Sequence, residues 1–166
     1  MGEVFVEHIV KRRMDITGFA IRMGAIFLTL LVFFVGTAAL GMVGITLTAL
    51  MIYVCYLAFI YTSVEYEYSL VNGELTIEKI LGQRKRKHIT EIELKNAELI
   101  APANSGEVQG RSVPFTKDYS SGAKREEVYA IIYNDKDGQT KFLFEPTEKM
   151  IDAMYHVRPS IVKKNG

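Results

Sequence analysis

From Met23 to Val64 the chain runs for 42 residues without Asp, Glu, Lys, Arg, His, Asn, Gln or Pro. As one helix this run would reach about 63 Å, twice a hydrocarbon core of about 30 Å. A buried soluble helix of that length would need apolar protein on every side, more than the rest of the chain can supply. Two helices and a reversal fit better. The pattern predicts spans at about 20–39 and 44–62, with a turn over 40–43 in "LGMVG", where Gly41 and Gly44 allow the backbone to reverse. Small residues one turn apart, Thr37/Gly41 and Gly44/Thr48, would let the helices approach closely. A cleaved signal peptide fits poorly, because its apolar stretch would be far longer than the usual ~7–15 residues.

After Val64 the period becomes two. Tyr66, Tyr68 and Leu70 alternate with Glu65, Glu67 and Ser69, and Asn72-Gly73 is followed by Leu75 and Ile77, which predicts a hairpin. Further strands are expected at about 85–89 and 97–101. A loop then follows over 102–126, with a short strand at 113–116. "EVYAIIYN" and "TKFLFE" flank "DKDG" as a second hairpin. Met150, Ile151, Met154 and Val157 have helical spacing, with Thr147 as cap and Pro159 as stop, so the last helix is placed at about 147–157 and a tail at 159–166. Ahead of the apolar run, residues 1–19 place Phe5/Ile9 and Val6/Val10 four apart, with Glu7 able to pair with Lys11. This predicts a short amphipathic helix on the membrane surface, or an irregular tether.

Charge refines this picture. The chain has 166 residues, 49% apolar and 23% charged, with a net charge of +1, which offers nothing for nucleic acid. Lys11, Arg12, Arg13 and Arg22 precede the first span while the turn is uncharged, so the N-terminus, and after two spans the C-terminus, is expected in the cytoplasm at the plasma membrane. Tyr53, Tyr56 and Tyr61 mark the second span, and Tyr61 suits an interfacial aromatic. The single cysteine, Cys55, lies in the apolar run and reads as a small hydrophobe.

Enzyme chemistry finds no purchase. His8, His88 and His156 are far apart, no cysteine pair is available for a metal, and no nucleophile elbow occurs; no cofactor or catalytic residue is expected. "SSGAK" lacks the spacing and setting of a phosphate-binding loop. The spans carry no ionisable group beyond Arg22 at the edge, which argues against transport, and a pore of Thr29, Thr37, Thr46 and Thr48 would require an oligomer. Two basic segments remain. Arg84, Lys85, Arg86 and Lys87 lie close after the second span, within reach of anionic lipid headgroups, or they keep an edge strand soluble. Arg111, Lys117, Lys124 and Arg125 stud the long loop and could contact a partner.

"YSLVNGELTIEKILGQRKRKHITEIEL" and "VYAIIYNDKDGQTKFLFEPTEKMIDAMY", following a two-helix hairpin, resemble bacterial pleckstrin-homology-like (PH-like) domains with a membrane anchor. The resemblance implies a membrane α-helical hairpin over 20–63 and an α+β cytoplasmic domain over 64–158. That domain would be an antiparallel bent sheet or open barrel with a C-terminal capping helix. It rests on the order of elements and carries no catalytic signature. The function expected is an interaction module for a protein partner or lipid headgroups. The alternative is a small accessory subunit of a transporter or other membrane complex, held by the hairpin itself, and self-association is compatible with either.

Overall fold

A computed structural model describes residues 5–122, 126–135 and 138–164. The chain divides into two compact units: residues 14–64 with 81–85, and residues 1–13, 65–80 and 86–166.

The first unit is helical. Helix α1 (Ile16–Leu40) begins at Asp15, whose side chain accepts the Gly18 N–H at 2.8 Å, and α2 (Met42–Thr62) follows after one residue. That residue is Gly41, at φ +56°, whose N–H donates to the Thr37 carbonyl at 3.1 Å. The expected four-residue turn is therefore a single residue, and Gly44 is not part of it. Gly44 lies inside α2, where a Cβ would stand 2.1 Å from the Gly36 carbonyl oxygen, so the helices meet there backbone to backbone. Thr48, one turn on, is also buried and donates its hydroxyl to the Gly44 carbonyl at 2.8 Å. The hydroxyls of Thr29, Thr37 and Thr46 donate to carbonyls of their own helices, so none needs a polar lumen. Phe27, Phe34, Leu50 and Ile52 point outward, and both helices are long and apolar enough to cross a membrane.

The second unit carries the strands. The segment read from sequence as an amphipathic helix or tether is strand β1 (Phe5–Lys11), antiparallel to β2 (Val64–Val71), with Val6 opposite Leu70 and Val10 opposite Tyr66. Apolar residues four apart satisfy both periods. The β2 partner decides between them, since only a strand places buried Val10 on the core face while Glu7 and Ile9 face out. The β domain therefore does not begin at residue 64: its first strand precedes the helices.

One sheet has the order β1-β2-β3-β4, with β3 (Glu74–Leu81) entered through the Asn72-Gly73 turn and β4 spanning Lys85–Glu93. The other has the order β5-β7-β8-β6, from β5 (Ala97–Pro102), β6 (Phe115–Asp118), β7 (Tyr129–Asp135) and β8 (Gly138–Phe144). The two sheets do not join into a closed barrel, and β6 runs parallel to β8, whereas β1–β2, β5–β7 and β7–β8 are antiparallel. Helix α4 (Glu148–Val157) starts at Thr147 as expected and buries Met150, Ile151 and Met154. Tyr68, Leu70, Ile77, Ile100, Ile131 and Phe144 complete this core. The tail also contributes, because Ile161 and Val162 are buried and Lys163 donates to the Ile100 carbonyl at 2.8 Å, covering the β5 edge.

Residues read as a loop cover the outer face of the second sheet. The four-residue helix α3 (Gly106–Gln109) presses Val108 onto Leu99, Ala101, Ala130 and Ile132, with Val113 alongside. The alternation of β5 and β7 makes both faces of that sheet apolar, and the segment is needed to cover the second one. Beyond it, Tyr68 donates its hydroxyl to the Tyr119 carbonyl, and burial raises the Tyr68 phenol well above its ordinary range.

Gly44→Ala should cost about 1–3 kcal/mol of stability, read as a lower thermal midpoint of the full chain in detergent. Gly24→Ala, where a Cβ meets nothing within 4 Å, should leave the midpoint unchanged. The raised Tyr68 pKa means that the folded state holds a proton the unfolded chain releases near pH ~10. Stability should therefore decline as pH rises above ~10, and Tyr68→Phe should flatten that decline in denaturant titrations.

Candidate functional site

Basic residues are the functional candidates, and the fold separates them. Lys85, Arg86 and Lys87 open β4, after Arg84 in the turn from β3, and all four side chains are exposed. Arg86 is already engaged: its Nη1 lies 2.8 Å from Glu67 Oε2 and 3.8 Å from Glu78 Oε2. Glu67 is a buried carboxylate, with a side chain only 7% exposed against 61% for Arg86. Its Oε2 meets no donor at a hydrogen-bonding angle, so the nearby guanidinium supplies charge compensation without a well-aligned bond. Around them Glu7, Ser69 and Thr76 complete a cavity of about 180 Å³. Arg84, Lys85 and Lys87 form no ion pair among the described residues.

The other predicted cations lie elsewhere. Arg111 pairs with Glu98 at 3.2 Å, and Glu98 also takes Asn134 and Gln139, so this group ties the α3 segment to the sheet. Lys117 sits on β6 with its Nζ 5.6 Å from the centre of the Phe142 ring. Lys124 and Arg125 lie outside the described residues. Within the strand unit Arg86, Arg111 and Lys117 therefore have separate partners and do not converge on one site. Of the predicted turn pair, Gly41 makes the reversal and Gly44 the helix contact.

Two groups escaped notice in the sequence. At the end of β1, Arg12 donates to the Tyr66 hydroxyl at 2.9 Å, and the Arg13 N–H donates to the Ser121 carbonyl at 2.8 Å. Ser121 in turn donates its hydroxyl to buried Glu145 at 2.8 Å, which fixes the strap over residues 118–122. Burial there also raises the Tyr119 phenol. The second group is in the helical unit. Arg22, read only as a flanking charge, donates from Nε to Thr62 Oγ1 at 2.7 Å and from Nη2 to Ser63 Oγ at 2.8 Å. Its signal was present in the sequence as the one charge within either helix.

No group of three or more His, Cys, Asp or Glu side chains able to hold a metal ion occurs among the described residues.

Arg86→Ala would strand the Glu67 carboxylate and should cost about 1–3 kcal/mol in denaturant unfolding. Lys87→Ala should stay within about 0.5 kcal/mol of the parent.

No curated protein and no solved structure matches the chain. A family match extends from residue 2 to residue 164, enclosing the helices as well as the strands. That match takes in the two apolar helices together with both sheets and α4, and the chain belongs to the bacterial PH-like domain family DUF6106.

Proposed function

We propose that the protein is a membrane-anchored, non-catalytic interaction module that crosses the plasma membrane twice. Its PH-like domain and both termini lie in the cytoplasm, where it engages a protein partner or anionic lipid headgroups. PH-like domains are generally non-catalytic interaction modules. The observation that carries the reading is the pairing of β1 with β2. The chain ahead of the helices and the chain behind them share one sheet, so any crossing must be even in number. Gly41 alone joins α1 to α2, which leaves room for two. Lys11, Arg12, Arg13 and Arg22 on the strand side, with no charge near Gly41, favour the cytoplasm for that side.

Tethering supports the interaction role. Only residues 12–15 link β1 to α1, and only Ser63 separates α2 from β2. Such short links confine the domain to the lipid surface, where effective concentration replaces intrinsic affinity for partners that share the membrane.

The test is a topology map of the full chain in cells, with labelling sites introduced at each terminus and at Gly41. Both termini should resist an impermeant reagent added outside, and the Gly41 position alone should react. Reaction at either terminus in intact cells would overturn the reading.

A further inference from the structure

We propose that the base of the helical hairpin binds the phosphate of an anionic phospholipid, with Arg22 as the principal ligand and Arg84 and Lys85 as supporting cations. The inference rests on the reading of the helices as a membrane anchor. It adds a defined site to that reading.

Arg22 is held but not neutralised. Its contacts are the hydroxyls of Thr62 and Ser63, a longer one of 3.4 Å from Nη2 to the Phe59 carbonyl, and the Phe59 ring, 4.8 Å below the guanidinium carbon. All of these partners are uncharged, and among the described residues no carboxylate pairs with it. Two of its three nitrogens are anchored. The guanidinium is rigid and planar, so the third, Nη1, is aimed and has no protein acceptor among the described residues. A planar fork with one open edge suits a phosphate oxygen.

Depth agrees. Met23–Leu40 and Met42–Phe59 are 18 residues each. Each stretch is about 27 Å long, close to the hydrocarbon thickness, which puts Arg22 on one helix and Thr62-Ser63 on the other at the same headgroup boundary. An unpaired cation is tolerated at that level when it reaches lipid phosphate. Phe19 and Met23, on either side of Arg22 along α1, are exposed and apolar, as an acyl chain beneath that phosphate requires.

Ser63 brings in the other cations. Its side chain accepts from Arg22, while its carbonyl accepts the Gly82 N–H at 3.0 Å. Gly82 sits at φ +56° against Ile60, and a Cβ there would stand 2.4 Å from Ile60 Cγ2, so only glycine lets the turn seat on the end of α2. The turn carries Arg84 and leads directly into Lys85 at the start of β4, both exposed and without acidic partners among the described residues. Arg22, Arg84 and Lys85 outnumber Asp15, the carboxylate that caps α1 at the same base, and this positive balance favours a lipid of net negative charge over a zwitterionic one, whose own cation it would repel.

The full-length protein in nanodiscs, of phosphatidylcholine alone or with added phosphatidylglycerol, provides the test, with bound lipid counted by native mass spectrometry after release. The wild-type protein should retain phosphatidylglycerol over phosphatidylcholine by about tenfold or more, as a charge-assisted contact of ordinary strength provides. Arg22→Gln should abolish the preference, Arg22→Lys should keep part of it, and Arg84→Ala with Lys85→Ala should weaken it. Lys149→Ala on α4 should not change it. Undiminished preference in Arg22→Gln overturns the site, and so does a wild-type protein that resists carbonate extraction from membranes yet shows no preference. If carbonate extracts the wild-type protein, the anchor reading falls as well.

Discussion

Everything in this chain is constrained by one antiparallel pairing, that of β1 with β2, which closes around the entire helical hairpin. The hydrogen bonds themselves are ordinary. Their consequence is topological: the hairpin has both ends fixed in one sheet, so the helices cannot be an independent appendage trimmed or lengthened at will. The pairing would carry a large loop-closure cost if the intervening residues were flexible. They are not. A Cβ at Gly18 near the start of α1 would lie 3.7 Å from Thr62 at the end of α2, so the hairpin itself delivers the two strand ends to neighbouring positions.

The helical unit shows how little polar chemistry such a device needs. One glycine reverses the chain, a second lets two backbones touch, and a single arginine fixes the open end through two hydroxyls. The two helices are held together by close packing at Gly36 and Gly44 and by the hydrogen bonds of Arg22. The strand unit works by the opposite rule, burying aromatic and aliphatic side chains between two sheets and α4.

Much of this architecture was legible in the sequence because its signals are local. The uncharged run, the Asn72-Gly73 turn, the DKDG hairpin and the Thr147 cap each specify an element through neighbouring residues. What was not legible depends on distant partners. "FVEHIVK" satisfies helical and strand spacing equally until β2 is beside it, and Val108 looks like a loop residue until the second face of β5 and β7 needs covering. The basic run has the same lesson: composition groups Arg84 to Lys87, but Glu67 claims Arg86, and the Gly82 turn ties Arg84 and Lys85 to the helix end. Gly44 was read both as part of the turn and, with Thr48, as a point of close helix approach, and only the second holds, since a glycine needed for close approach and one needed for reversal look alike in one dimension.

The position of β1 also sets an order of events during synthesis. The first strand leaves the ribosome before the helices exist and has no partner until both have been made and β2 follows. For that interval it is a bare strand edge tethered to a nascent helical hairpin, and the sheet it completes can assemble only after both helices have been made. Formation of the hairpin is therefore a precondition for the domain's first sheet, so a chain whose two helices fail to pair would leave that sheet open.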